Sequence, residues 1–508
     1  MLDTLIDKVK SARSRGCPLL GITTPDMAAT IATCSQALAN GTIPPIFSWD
    51  SVTGLRWLNQ QGEAAAVRIF QNAPTAKQQL ADASVNSTEM CLFALKLEHG
   101  SVVFMQNAHA HFDQPSCVQA LYNLRDPFKA TKRTMILLGP TLRLPLELSG
   151  DFLIFDEKLP DDEQIGSIAD ALYALTGNTA KFPRIMRENV VKAARGLSAF
   201  GAEQATALAL NKQGIDVDAL WACKKSMVEA TRGLSFADND ITFSDIGGLT
   251  AIKEFGSKLF QGPRPPSLIC WVDEIEKALG GASGPVGDSS GTSQDALGVL
   301  LKNLEDSDSS GLIAVGPPGA GKSLFAKALG PTHHVPTLFV DLGAAKGSLV
   351  GESEARIRDM MKKINAIAGK GGAFWVATAN RLDIVPPELR RRFRFGTWMF
   401  QLPDQDEREM IWSLNLKKYG LANKNYKRPA DEQLTGADIR SICELSWRLN
   451  CSLEKSVSYI SPIAISDPES IERLYVKAEG RFLSASHGGL FKREQQEVFV
   501  HDGRKVSV

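Results

Sequence analysis

The stretch Ile313–Leu329 reads IAVGPPGAGKSLFAKAL: a short apolar strand, a glycine-rich turn, and a helix with apolar residues at three and four spacing. The turn itself, Gly316, Pro317, Pro318, Gly319, Ala320, Gly321, Lys322 and Ser323, fits the GxxxxGK[ST] phosphate-binding pattern at every fixed position. Glycine without Cβ lets such a loop fold closely around phosphate oxygens with its N–H groups pointing inward, and the following helix adds its positive dipole end. In that loop Lys322 reaches the β- and γ-phosphates of a nucleotide and the Ser323 hydroxyl ligates Mg²⁺. A Gly/Pro-rich strand-to-helix turn that binds nothing is the bland alternative, and the Lys-Ser pair at the helix start argues against it.

Working outward, 508 residues exceed one ordinary core and predict two to four domains. Lys+Arg and Asp+Glu both number 57, so there is no overall basic field to attract nucleic acid or an anionic membrane. Eight cysteines are scattered without CxxC pairs or zinc spacing and read as reduced thiols. No apolar run approaches a membrane span, and the start MLDTLIDKVKSARSRG has helical spacing without a signal-peptide core, so a cytoplasmic location is expected.

Upstream, the runs PLLGIT, PPIFSW, MCLFALKL, SVVFMQNAH, TMILLGP and DFLIFDE alternate with helical stretches and predict a parallel α/β domain over residues 1–160. Its first loop, Thr23 to Asp26, lacks both the glycines and the Lys-Ser pair, so the domain reads as non-catalytic. His109 and His111 have no acidic or Cys companions at ligand spacing and read as structural. Residues 161–240 form a helical lid and linker, and a new domain opens near Thr242. The strand LICWVDE (Leu268–Glu274) ends in paired carboxylates. Such a pair is weak evidence alone, since Asp and Glu also cap helices, but beside a phosphate loop it supplies the Mg²⁺-and-water half of an ATP site. Further on come the strands TLFVDLG and AFWVATAN, an arginine cluster, the strand TWMFQLP, a helical lid over 406–480 and a polar tail over 481–508.

These motifs together resemble the AAA branch of P-loop ATPases: DIGGL (Asp245–Leu249), GPPGAGKS, WVDEIEKA, LVGESEARIR, VATAN and the arginines of PPELRRRFRFG. The chain is most similar to AAA proteins seen as conserved reading frames in plastid and cyanobacterial genomes, where a degenerate α/β domain and helical linker precede one AAA module. The resemblance implies a five-stranded parallel sheet with a helical lid over residues 241–405 and 406–480. It implies ATP and Mg²⁺ as cofactors, with Ser323 and Asp273 on the metal and Glu274 polarising the attacking water. Asn380 matches the residue that orients that water. The implied nucleotide contacts are Asp245, Ile246, Gly247, Gly248, Gly316, Pro317, Pro318, Gly319, Ala320, Gly321, Lys322, Ser323, Leu324, Gly436 and Ala437. Arg391 and Arg394 match arginines that reach into a neighbouring subunit's site, so a homo-oligomeric ring such as a hexamer is implied. A solvated basic cluster is the plainer alternative. At the pore-loop position Leu349 replaces the usual aromatic, and GTSQDALG carries Gln294 and Asp295 where an arginine is common.

The order of motifs departs from the family. There the phosphate loop precedes the Asp-Glu strand, whereas here Asp273 and Glu274 come before Gly316. The block Leu268–Asp306 stands ahead of the block Gly311–Ala368, with joints at GPRPPS (Gly262–Ser267), Asp306–Ser310 and Gly369–Gly372. Because ligands bind at the C-terminal ends of parallel strands, neighbours in the sheet matter more than the connecting chain. The expectation is therefore a non-circular permutation that keeps the strand order 5-1-4-3-2 in family labels; the rival is a rearranged or artificial coding sequence whose product cannot close the site. The function expected is an ATPase that remodels an unidentified protein partner, or alternatively an ATP-binding scaffold with little turnover.

Overall fold

The computed structural model describes residues 5–38, 43–71, 74–175, 182–211, 214–279, 298, 302, 304, 309–344, 352–381, 385, 387–424 and 426–493, with side chains left aside at 278, 279 and 352–355. The chain divides into two units, Met1–Leu175 with Leu197–Ala207, and Thr176–Gly196 with Leu208–Val508. Among the described residues no helix is long and apolar enough to cross a membrane.

The first unit is built on strands β1 (Leu19–Thr23), β2 (Ile46–Asp50), β3 (Gly54–Trp57), β4 (Val102–Met105), β5 (Thr134–Gly139) and β6 (Leu153–Asp156), ordered β3-β2-β4-β5-β1-β6. All pair in parallel except the β2–β3 hairpin. Side-chain alternation sends Phe47, Trp49, Val103, Met105 and Leu137 to one apolar layer and Ile46, Val102, Phe104 and Ile136 to the other. Burial on both faces is why β1, β2, β4 and β5 read as continuous apolar runs, whereas the edge strand β6 leaves Leu153 and Ile154 exposed. One such run proved different: MCLFALKL (Met90–Leu97) starts in the helix Ser87–Ala94 and ends in the turn that follows it. The Asn86 side chain accepts the Glu89 N–H at its start, and Met90, Phe93, Ala94 and Leu97 bury one helical face. A short apolar run has no period that separates strand from buried helix.

In the second unit, a two-residue hairpin of β7 (Leu210–Asn211) and β8 (Gly214–Ile215) precedes the main sheet. That sheet holds β9 (Leu234–Phe236), β10 (Leu268–Val272), β11 (Ser310–Val315), β12 (Thr337–Val340), β13 (Ala373–Ala379), β14 (Thr397–Met399) and β15 (Leu483–Ser484). Their order is β15-β14-β11-β13-β10-β12-β9. The central run β14-β11-β13-β10-β12 is the expected 5-1-4-3-2 neighbour order, and the five strands are mutually parallel. Two strands extend the expected five: β9 pairs antiparallel with β12, and β15 pairs parallel with β14. The latter comes from the tail that composition marks only as polar. Phe482, Ala485 and Phe491 are buried, and Ala485 and Ser486 carbonyls accept the first N–H groups of the helix Thr250–Gln261.

The first unit provides an internal reference for this connectivity. Its run β6-β1-β5-β4-β2 has the same neighbour pattern, yet there the chain visits β1, β2, β4, β5 and β6 in that order. In the second unit the strand at the β4 position, β10, is visited first. Two of the three joints meet: the Ser267 N–H donates to Gly372 O at 3.2 Å. The third, Asp306–Ser310, lies largely outside the described residues. The helices Gln405–Lys418, Gly436–Leu449, Leu453–Val457, Ile463–Ser466 and Pro468–Ala478 follow, with Trp412, Leu434, Ile439, Ile442 and Leu453 forming their own apolar cluster.

Candidate functional site

The phosphate loop leaves β11 and enters the helix Lys322–His333. Gly319 and Gly321 take φ values of +82° and +93°, which side chains with a Cβ adopt only under strain. A Cβ on Gly319 would also lie 2.5 Å from Thr435 Oγ1. The Lys322 ammonium, 6% exposed as a residue, donates to Gly316 O at 2.8 Å and Pro317 O at 2.9 Å. Burial pushes its pKa down to about 8, against the pull of Glu276, Asp273 and Glu274 in the opposite direction.

Strand β10 brings the carboxylates to the same end of the sheet. Ser323 Oγ donates to Asp273 Oδ1 at 2.7 Å, so the two candidate Mg²⁺ ligands are already side by side. The Thr378 hydroxyl, on the adjacent β13, donates to the same Asp273 oxygen at 2.6 Å and accepts the Glu274 N–H at 2.9 Å. Asn380, just past β13, donates from Nδ2 to Glu274 Oε1 at 3.0 Å, while Lys277 pairs with Glu274 Oε2. Glu274 has φ +48°, a left-handed conformation uncommon outside glycine and often found where a site holds the backbone out of its preferred region.

The segment Asp245–Leu249 is held against the helix Gln405–Lys418. Asp245 accepts the Thr242 N–H, which holds its carboxyl below the usual range, and Lys253 donates to Ile246 O. Gly247 packs on Ile411, where an added Cβ would come within 2.6 Å of Cγ1. Gly248 packs on the buried Glu407 carboxylate, whose Oε1 accepts the Leu249 N–H at 2.8 Å. A cavity of about 640 Å³ lies beside this segment, between Phe243, Ile246, Gly247, Met410, Ser413 and Leu414. The lid reaches the loop directly: the Ala437 N–H donates to Gly319 O at 3.3 Å, next to Gly436 at the start of its helix.

The structure thus joins Ser323, Asp273, Glu274 and Asn380 through Thr378 in one hydrogen-bonded cluster, with Lys322 held by the loop carbonyls of Gly316 and Pro317 and with Gly436 and Ala437 against the loop. It does not bring the arginines there. Arg391, in the helix Pro387–Arg392, and Arg394, just beyond it, are exposed, and neither forms an ion pair among the described residues. Leu349, Gln294 and Asp295 lie outside the described residues. Three residues in or beside the cluster escape motif reading: Thr378, Glu276 and Glu407. Thr378 is the one hydroxyl in the apolar strand AFWVATA, and Glu407 closes a capping box with Asp404. Glu276 has the spacing of an ordinary acid in a first helical turn, which conceals it.

The two sheets can be compared residue by residue through their pairing. Val315 stands opposite Ala379 as Thr23 stands opposite Gly139, and Val272 opposite Ala377 as Met105 opposite Leu137. Gln106 and Asn107 therefore occupy the places of Asp273 and Glu274, and Asn107 repeats the left-handed turn with φ +51°. Amides replace both carboxylates. At the other half of that site, Asp26 supplies an internal anion: its carboxylate accepts the Ala29 N–H at 3.0 Å and the Phe200 N–H at 3.2 Å, each in the first turn of a helix.

Residues 6–157 match the model of the SpoVK-like AAA ATPase N-terminal domain, and residues 312–370 match the ATPase family associated with various cellular activities (AAA). The second match runs from the phosphate-loop strand to the joint at Gly369–Gly372, as a transposed block should. Similar curated proteins carry the name AAA domain-containing protein ycf46. That of Guillardia theta is 25% identical over 437 residues, covering 74% of this chain and 79% of the relative. That of Pyropia yezoensis is 23% identical over 505 residues, covering 87% and 91%. That of Trieres chinensis is 24% identical over 454 residues, covering 79% and 80%. Residues 6–157 and 312–370 are thus similar to the two domains of AAA ATPases, a SpoVK-like N-terminal domain ahead of an AAA domain, and in this chain the Asp-Glu strand precedes the phosphate loop.

Proposed function

We propose that this chain is a Mg²⁺-dependent ATPase that couples hydrolysis to remodelling of a protein partner. The observation that carries the reading is the 2.7 Å contact between Ser323 Oγ and Asp273 Oδ1, made across two blocks whose order is reversed. The donor set suits a nucleotide: a loop with two glycines at positive φ, the buried Lys322 ammonium, and a hydroxyl beside a carboxylate. Ser323 and Asp273 would hold Mg²⁺, which draws charge from the phosphates when bound. Glu274 takes the proton of the attacking water, and Asn380 fixes the carboxylate that does so.

Arg391 and Arg394, exposed and without ion-pair partners among the described residues, serve the site of a neighbouring copy, which makes a ring or at least a dimer the active species. The first unit, with amides in place of the carboxylates, is left for recruiting the partner. The reading of a nucleotide-binding scaffold with little turnover draws on Glu274, both of whose carboxylate oxygens are engaged by Asn380 and Lys277. Steady-state assay of the purified chain separates the two: Mg²⁺-dependent phosphate release supports the ATPase, and Lys322→Ala abolishes nucleotide binding. Undiminished turnover by Lys322→Ala refutes the assignment of the loop.

A further inference from the structure

Glu276 is a third acid beside this site, and neither the sequence motifs nor the family matches assign it a task. Its residue is 7% exposed, and its carboxylate makes one hydrogen bond among the described residues: Oε1 accepts the backbone N–H of Asn380 at 2.8 Å. The other oxygen, Oε2, is buried with no partner among them. Apart from its attraction to the Lys322 ammonium, the buried carboxylate has only this one neutral donor, and a half-satisfied buried acid costs stability. What the bond does is geometric. Asn380 is the first residue past β13, where ladder pairing has stopped, and the Glu276 bond pins its backbone while its side chain reaches Glu274 Oε1. Strand β10, the turn at Glu274 and the helix Ile275–Leu279 supply both the base and the residue that holds its partner.

We infer that Glu276 is a positioning residue: it fixes the backbone of Asn380 so that the Asn380 side chain holds the Glu274 carboxylate in its working orientation. The inference rests on the ATPase reading, and it acts through Asn380, not through nucleotide contact. Misplacing a catalytic group by about 1 Å costs on the order of 100-fold in rate.

The test is a double-mutant cycle on the full chain with Glu276→Ala, Asn380→Ala and the pair, alongside Glu276→Gln and crystal structures of the single variants. Glu276→Ala is expected to lower kcat by roughly 10- to 100-fold, with the Kd for ATP within about threefold of wild type. Glu276→Gln keeps an amide oxygen to accept the Asn380 N–H and should recover most of the rate, which a loss of charge near Lys322 would not. Adding Glu276→Ala to Asn380→Ala should cost nothing further. In the Glu276→Ala crystal, Asn380 Nδ2 should leave hydrogen-bonding distance of Glu274. Additive losses, failure of Glu276→Gln to rescue, or an unmoved Asn380 would each overturn the inference. If wild type turns over no ATP, the ATPase reading falls, while the position of Asn380 in the crystal still decides what Glu276 does.

Discussion

Ser323 Oγ and Asp273 Oδ1 lie 2.7 Å apart although Asp273 precedes Ser323 by 50 residues, the reverse of the family order. The contact exists because β10 and β11 both flank β13 in a parallel sheet, with Val272 opposite Ala377 and Val315 opposite Ala379. Both strands therefore finish at one edge, and their C-terminal residues converge regardless of which is synthesised first. Transposing a block changes connections on the surface and leaves the buried neighbours alone.

Thr378 is the pin of that convergence. Its buried hydroxyl serves Asp273 and the Glu274 N–H together, so Thr378→Val leaves a buried N–H without its acceptor and frees one Asp273 contact. The expected cost is about 1–3 kcal/mol of stability and on the order of 10-fold or more in kcat. Thermal melts and steady-state kinetics of Thr378→Val against Thr378→Ser measure both, and Ser should restore most of each. A valine variant with wild-type kcat would remove Thr378 from the catalytic arrangement.

Arg391 and Arg394 predict complementation between copies. Arg394→Ala should lower turnover by about 10³-fold while leaving ATP binding intact, and Lys322→Ala should be inactive through loss of binding. Mixing the two inactive proteins should restore activity, because an intact Lys322 site can then meet an intact arginine from its neighbour. No recovery over a range of mixing ratios would place the arginines outside any shared site.

Lys224 predicts a pH dependence of stability. It is fully buried on the helix Val217–Glu229, its Nζ 3.5 Å from Lys192 O and 4.3 Å from the Trp221 ring centre. Burial, with a smaller repulsion from Arg195, pushes its pKa down to about 7. An unfolded lysine keeps its proton to about pH 10.4, so between roughly pH 7 and that value the unfolded chain binds more protons and this group's contribution to stability rises with pH. Below pH 7 both states are protonated and the contribution is flat at its least favourable level. Lys224→Met should raise the melting temperature at pH 7 and flatten its rise toward pH 10, in scans across that range. A variant less stable than wild type at pH 7 would contradict the sign.

Much of this was legible before any coordinates because phosphate chemistry narrows the choices. GPPGAGKS needs glycines at positive φ and a Lys-Ser pair at a helix start, and few other requirements produce that string. The strand neighbours came from the resemblance to AAA proteins, and the rule that ligands bind at the C-terminal ends of parallel strands gave the reason for expecting them to survive the transposition. What stayed hidden shares a different character. Thr378 acts through two hydrogen bonds to the end of β10 and Glu276 through one to the end of β13, and a lone Thr in a strand or Glu in a first helical turn has ordinary structural uses. MCLFALKL gave no period by which to distinguish helix from strand. Leu483 and Ser484 form too short a strand to leave an alternation, and only pairing with Trp398 and Met399 defines it.

The central claim is that the transposed blocks close a working hydrolytic site on Glu274, and single-turnover hydrolysis with Glu274→Gln tests it most directly. Wild type should release phosphate from bound ATP, while Glu274→Gln should bind ATP with similar affinity and retain it uncleaved, its rate lower by about 10²- to 10⁴-fold. Equal rates of phosphate release from the two proteins would contradict the account.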